Sequence, residues 1–136
     1  LEALGVWVSS LNECGYCVDH HYAGMRRLLG DDAKSDAIRR AIDARDFTDA
    51  PLGAAQVAAM DYAQKLTLAP ATIAEADIIA LRGVGFDDGE ILEINQVSAY
   101  FSYANRTVLG LGCSIQGDII GLSPNNSDDP DDWNHS

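Results

Sequence analysis

The sequence has few cationic residues and no long apolar run. Nine Lys and Arg stand against 21 Asp and Glu, which gives a formal net charge of −12 over 136 residues. A nucleic-acid-binding protein needs a cationic surface to replace the counterions of phosphate, so this class is excluded. Binding to an anionic membrane surface is disfavoured for the same reason. The apolar runs are only a few residues long, whereas a membrane span needs about 20.

The sequence also has few cysteines. There are three, Cys14, Cys17 and Cys113, whereas a secreted disulfide framework usually has a larger, even number. No Gly-rich phosphate motif or serine nucleophile elbow is present. A close cysteine pair in such a chain predicts redox chemistry or a metal site in a cytoplasmic protein. Because the chain begins with Leu1 rather than Met, we expect the natural protein to have residues before it.

What the sequence does have is helical periodicity. Apolar residues recur at spacings of three and four, and no segment alternates as a strand does. An apolar fraction of 47% fits one packed core. We predict an all-α bundle of about six helices over residues 1–116. Residues 117–136 contain five Asp and no Lys or Arg, so they are predicted to form an acidic, irregular and flexible tail.

Capping residues predict the ends of the first helices. The chain begins inside a helix, and Asn12 is expected to cap a second helix that contains the cysteine pair. This second helix is expected to reach Leu29, with Gly30 as its stop. A third helix is predicted over residues 33–45, and Pro51 is expected to be the first residue of a fourth.

Two capping boxes predict the remaining helices. Thr72 and Glu75 have the spacing in which each side chain bonds the backbone N–H of the other, before a fifth helix. Asp87 and Glu90 have the same spacing at the start of a long sixth helix, predicted over residues 89–111.

The segment around the cysteine pair contains most of the functional information. On a helix with about 100° per residue, Cys14, Cys17 and His21 fall within about 60° of one another, whereas His20 lies about 120° from Cys14. Two cysteines one turn apart can form a disulfide, and the first turn of a helix favours a thiolate. His21 is placed to accept the proton of Cys17. A peroxide would oxidise this thiolate to a sulfenic acid, which the second thiol condenses to a disulfide.

Two other interpretations of the pair stay open. The cysteines can be small core residues. Alternatively, Cys14, Cys17 and His21 can bind zinc, for which Cys113 and His135 are isolated candidates as further ligands. The redox interpretation is favoured, with no metal and no tightly bound cofactor. Cys113 is expected to be structural.

The spacing of these residues resembles a known signature. Glu2, eleven residues, Cys14-Gly-Tyr-Cys17, three residues and His21 are similar to the Glu–Cys-x-x-Cys–His pattern of the AhpD-like alkylhydroperoxidase family. This family belongs to the carboxymuconolactone decarboxylase-like superfamily. Three further segments are similar to its peroxidase-related branch: residues 59–67, 85–92 and 100–112. Such proteins usually have a helical stretch before the Glu.

The resemblance implies thiol-dependent reduction of hydroperoxides by an oxidoreductase. In that activity Cys17 is the peroxidatic cysteine and Cys14 the resolving cysteine. His21 is the base, and Glu2 orients it or relays protons to it. An alternative within the superfamily is a carboxymuconolactone decarboxylase, which does not rely on a cysteine pair.

The resemblance also implies partners. An external dithiol reductant, lipoyl-bearing or thioredoxin-like, restores the cysteines, and the helical subunit assembles as a homo-trimer or homo-hexamer.

His20 is a packed or surface residue with a supporting role at the mouth of the site. Tyr16 departs from members that have a second His at this position, so a proton relay there is not expected. Four aromatic residues are predicted to lie in the core or a subunit interface: Trp7, Tyr100, Phe101 and Tyr103.

Overall fold

The chain folds into a bundle of α-helices. The computed structural model describes residues 1–117 and residue 120, and within these residues it contains six α-helices and no β-strand. The all-α prediction of about six helices is confirmed. Apart from Gly117 and Ile120, the predicted acidic tail lies outside the described residues. The helices are α1 (Glu2–Leu11), α2 (Gly15–Leu29), α3 (Asp32–Ala44), α4 (Ala54–Leu68), α5 (Glu75–Gly83) and α6 (Asp88–Leu111), with a 3₁₀ turn at Pro70–Thr72.

Two helix ends follow the signals in the sequence. Gly30 ends α2 with φ 60°, a left-handed conformation that a residue without Cβ adopts at little cost. At the start of α6, the Asp87 carboxylate accepts from the Glu90 N–H at 2.8 Å. The Glu90 carboxylate accepts from the Asp87 N–H at 2.9 Å in return. The predicted capping box of α6 is therefore present.

The start of α2 differs from the prediction. Asn12 does not cap α2; its N–H donates to the Val8 carbonyl at 3.0 Å, so it caps the C-terminus of α1. Glu13 then turns the chain with φ 59°, and Cys14 occupies the N-cap position of α2. The prediction is wrong because the hydrogen-bond ladder of α1 extends to Asn12 and leaves the reversal of the chain to the next residues.

The start of α4 also differs. Pro51 is predicted as the first helical residue, but α4 begins at Ala54 with Gly53 as its N-cap. The side chain of Gln56 reaches back and accepts from the Gly53 N–H at 2.8 Å. This bond fixes the helix start, so Pro51 belongs to the preceding turn.

The predicted capping box of α5 is absent. Thr72 lies in the 3₁₀ turn, and Ala74 is the N-cap of α5. The Asp77 carboxylate, rather than Glu75, accepts from the Ala74 N–H at 2.7 Å. The prediction is wrong because the 3₁₀ turn delays the helix start by two residues, so a different acidic side chain reaches the N-cap.

The central helix of the bundle is α1, which packs against α2, α3, α4 and α6. All of residues 4–9 are buried. The indole N–H of Trp7 donates to the Met60 carbonyl at 3.0 Å, and its ring packs edge-on against Phe47 with ring centres 5.1 Å apart. These contacts fix α1, and with it Glu2 in the first helical turn.

The surface of the bundle contains two of the four predicted aromatic residues. Trp7 and Phe101 are buried as predicted, whereas Tyr100 and Tyr103 are 61% and 69% exposed and do not belong to the core. Among the described residues no helix has both the length and the apolar character that crossing a membrane requires.

Candidate active site

The two cysteines lie together at the start of α2 and form a disulfide. Cys14 is the N-cap and Cys17 lies in the first turn. Their Cα atoms are 5.4 Å apart, within the range of protein disulfides. Both residues are buried, with Cys14 0% and Cys17 5% exposed. The free N–H groups of the first turn favour negative charge here, so this position stabilises a thiolate when the pair is reduced.

A histidine and a carboxylate lie beside this pair. His21 follows Cys17 by four residues on α2, which places the two side chains on one face. Nδ1 of His21 lies 2.9 Å from Oε2 of Glu2 on α1. An ionised carboxylate only accepts, so the shared proton belongs to Nδ1 and Nε2 is the basic nitrogen of the neutral ring. Both side chains are 35% exposed, so small molecules can reach them.

An aromatic ring that the sequence did not assign to the site completes its wall. The ring of Phe101 on α6 packs edge-on against the His21 imidazole, with ring centres 4.5 Å apart and an interplanar angle of 86°. The same ring lies against Gly5, where an added Cβ would be 2.4 Å from it. A glycine inside a buried helix costs about 0.5–1 kcal/mol. Because Gly5 has no Cβ, it leaves room for this close approach of the Phe101 ring.

Two further aromatic side chains of α2, those of Tyr16 and His20, lie next to each other. Tyr16 and His20 are one turn apart, and their rings lie 4.5 Å apart at 32°. Both are half-buried. His20 is therefore a packed residue beside the site, and its ring contacts that of Tyr16.

A second cluster holds α2 against α3. The Tyr22 hydroxyl donates to the Asp36 carboxylate, and burial together with this bond raises the pKa of Tyr22. The guanidinium groups of Arg26 and Arg39 lie 5.9 Å and 5.2 Å from the centre of the Tyr22 ring. The cluster ties the middle of α2 to its neighbour, one residue after His21.

The described residues contain no group of side chains that could bind a metal ion. Among residues 1–117 and 120, no three or more His, Cys, Asp and Glu side chains are grouped to hold an ion. Cys113 is a free, exposed cysteine after the end of α6, and its expected structural role stays a prediction. His135 lies outside the described residues.

These features define a class of protein: an all-α bundle with a Cys-x-x-Cys pair at a helix N-terminus and a Glu–His pair beside it. Two solved structures are similar to it. One is an uncharacterized peroxidase-related protein from Silicibacter sp. TM1040, with 37% identity and a TM-score of 0.74 over 83% of this chain and 56% of that one. The other is an uncharacterized peroxidase-related protein from Ralstonia eutropha JMP134, described as an alkylhydroperoxidase AhpD core. It has 30% identity and a TM-score of 0.71 over 92% of this chain and 58% of that one.

The chain belongs to the AhpD-like fold family, as the resemblance in its sequence predicts. It spans somewhat more than half the length of the two similar proteins. No protein-family model matches the chain, and no curated protein matches it.

Proposed function

We propose that this protein reduces hydroperoxides with electrons from a dithiol. The observation that carries the proposal is the hydrogen bond between Glu2 of α1 and His21 of α2, the helix that begins at the Cys14–Cys17 pair. A basic imidazole nitrogen one turn from a helix-N-terminal thiol is an arrangement that produces a reactive thiolate. The peroxidase-related names of the two similar proteins agree with this chemistry.

The proposed reaction has two steps. Nε2 of His21 takes the proton of the Cys17 thiol, and the thiolate attacks the hydroperoxide. An S–O bond forms, the O–O bond breaks, and the alcohol leaves with a proton, so that Cys17 becomes a sulfenic acid. The Cys14 thiol then attacks the Cys17 sulfur, the S–S bond forms and water leaves. The cysteine pair has given two electrons to the peroxide.

The cycle closes with an external dithiol. One thiolate of this reductant attacks the Cys14–Cys17 disulfide to form a mixed disulfide, and its second thiol displaces the protein thiolate. Both protein thiols return and the reductant becomes a disulfide. A lipoyl-bearing or thioredoxin-like protein supplies such a dithiol, and the cytoplasm keeps it reduced.

The proposal is tested by thiol trapping and mass spectrometry, before and after one equivalent of an organic hydroperoxide. We expect a Cys14–Cys17 disulfide that a dithiol reverses, and loss of turnover in Cys17→Ser. The matched control is Cys113→Ser, which removes the exposed thiol outside the site and retains full turnover. Full turnover in Cys17→Ser would contradict the proposal.

The same preparation tests the alternatives. Protein purified without chelator is expected to contain no stoichiometric zinc, and zinc bound through Cys14 and Cys17 would replace a redox pair by a structural site. Turnover of a carboxymuconolactone after alkylation of every thiol would instead indicate a decarboxylase.

We also propose that the subunit self-associates as a trimer or hexamer. The exposed rings of Tyr100 and Tyr103 on α6 support this, because large aromatic side chains are enriched in protein interfaces. Light scattering is expected to give a mass of three or six subunits, which Tyr103→Ser lowers. A monomeric wild-type protein would contradict self-association without affecting the chemistry of the cysteines.

A further inference from the structure

An asparagine on the last helix is buried beside the start of α2. Asn105 on α6 is 0% exposed, and both ends of its amide are bonded. Its Nδ2 donates to Oγ of Ser9 at 3.0 Å, and its Oδ1 accepts from Nδ2 of Asn12 at 3.0 Å. These bonds cross 96 and 93 residues of sequence. A buried amide that is bonded at both ends over such a distance fixes the relative position of the segments it joins.

Both partners of Asn105, one in the last turn of α1 and one at its C-cap, lie just before Cys14 in the chain. The carbonyl of Ser9 accepts from the Cys14 N–H at 2.9 Å, and Asn12 is the C-cap of α1. Between Asn12 and Cys14, Glu13 has φ 59°, which is unfavourable for a residue with a side chain. The turn therefore depends on its hydrogen bonds, and Asn105 bonds two residues that precede it, Ser9 and Asn12.

The two cysteines depend on this turn to different extents. Cys17 lies inside the first turn of α2, where the helix itself fixes the backbone. Cys14 precedes the helix; its carbonyl accepts from Val18 at 2.9 Å, but its N–H is held only from Ser9. Loosening the turn would move Cys14 relative to Cys17, rather than both together.

We infer that Asn105 is a positioning residue that holds Cys14 within bonding distance of Cys17 and thereby raises the stability of their disulfide. The inference rests on the proposed function insofar as the pair cycles between thiols and disulfide. Asn105 does not touch the reacting atoms; it acts through Ser9 and Asn12.

The test measures the reduction potential of the pair in the full chain with Cys113→Ser as background. Protein is equilibrated with reduced and oxidised dithiothreitol, trapped and quantified. In this exchange the two protein thiols become a disulfide while oxidised dithiothreitol becomes the dithiol. We expect Asn105→Ala to lower the equilibrium constant for the protein disulfide about tenfold, which is about 30 mV toward a more oxidising potential.

A matched control separates positioning from a general loss of stability. Asn95 lies on the same helix, and its Nδ2 donates to the Tyr62 hydroxyl at 2.8 Å, away from the turn. Asn95→Ala removes one comparable bond and is expected to leave the potential unchanged. A loss of stability common to the oxidised and reduced forms cancels from this equilibrium. An unchanged potential in Asn105→Ala would overturn the inference.

A second variant keeps the test decisive if Asn105→Ala does not fold. Asn12→Ala removes the half-buried end of the same link and is expected to shift the potential in the same direction by a smaller factor. Its failure to do so would also overturn the inference. If wild-type protein forms no Cys14–Cys17 disulfide at any ratio of reduced to oxidised dithiothreitol, the proposed function is contradicted. Failure of the proposed function is thus distinguishable from failure of the inference about Asn105.

Discussion

Nδ1 of His21 and Oε2 of Glu2 lie 2.9 Å apart and join α2 to the first turn of α1. The bond gives the imidazole one tautomer, with its proton on the nitrogen that faces the carboxylate. Phe101 packs against the imidazole ring. The orientation of the base is thus set by α1 and α6, while its distance to the thiol is set by α2.

Replacing the carboxylate by an amide removes the preference for this tautomer. We expect Glu2→Gln to slow oxidation of Cys17 by a hydroperoxide about 10²-fold, because the amide can donate to Nδ1 and leave Nε2 protonated. Stopped-flow mixing with the hydroperoxide measures this rate. Glu93→Gln, an exposed substitution on α6, is the control. Equal rates in the two variants would show that Glu2 does not orient the base.

Two glycine substitutions separate close packing from helix propensity. Gly5→Ala places a Cβ 2.4 Å from the Phe101 ring, so we expect a loss of about 1–3 kcal/mol in the free energy of unfolding. The displaced ring also disturbs His21 and slows thiol oxidation. At Gly110 nothing lies within 4 Å of an added Cβ, so Gly110→Ala is expected to gain about 0.5–1 kcal/mol. Urea unfolding checks both, and a neutral Gly5→Ala would refute the close packing.

The helix caps give a paired prediction. Asp87→Ala removes the acceptor for the Glu90 N–H and is expected to cost about 1 kcal/mol of unfolding free energy. Thr72 lies in the 3₁₀ turn and does not cap α5, so Thr72→Ala is expected to cost less than half as much. Thermal unfolding of the two variants tests this order. If Thr72 capped α5 as the sequence predicts, Thr72→Ala would cost as much stability as Asp87→Ala or more.

The ion pair between Lys65 and Asp77 makes the stability of the fold depend on pH. The hydrogen bond from Lys65, followed by that from the Ala74 N–H, lowers the pKa of Asp77. A carboxyl group with a lowered pKa in the folded state stabilises the protein above its unfolded pKa of about 3.9, and this contribution is lost as pH falls through the folded pKa.

We therefore expect Lys65→Met to lower stability at pH 7 and to flatten the loss of stability below about pH 4. Lys34→Met, at the other and exposed lysine, is the control. Urea unfolding at pH 7 and at a series of pH values below about 4 measures the effect. If the free energy of unfolding fell as steeply below about pH 4 in Lys65→Met as in wild type, the Lys65–Asp77 pair would not be the cause of this acid dependence.

The sequence predicts features that depend on nearby residues. Helical periodicity and caps such as Gly30 and the box at Asp87 act within one or two turns, so they are visible without the fold. The prediction at Asn12 is wrong because whether a polar residue ends one helix or begins the next depends on which backbone groups it meets. The bonds of Asn105 cannot be predicted from periodicity, since it lies more than 90 residues from its partners.

The candidate site shows the same limit. The spacing of Cys14, Cys17 and His21 follows from helix geometry alone. The position of Glu2 beside His21 depends on how α1 packs against α2, and only the family resemblance indicated it. The contact of Phe101 with the imidazole depends on α6 and had no comparable signal.

The cysteine pair has a separation of three residues. A cross-link that closes so short a loop restricts the unfolded chain much less than one that joins distant helices. Opening it is therefore expected to cost little stability and to leave the packing of Trp7 and the rest of α1 in place. In the proposed redox cycle the bundle is therefore expected to stay folded in both states of the pair. The disulfide contributes little to the stability of the architecture, and its proposed role is to transfer electrons.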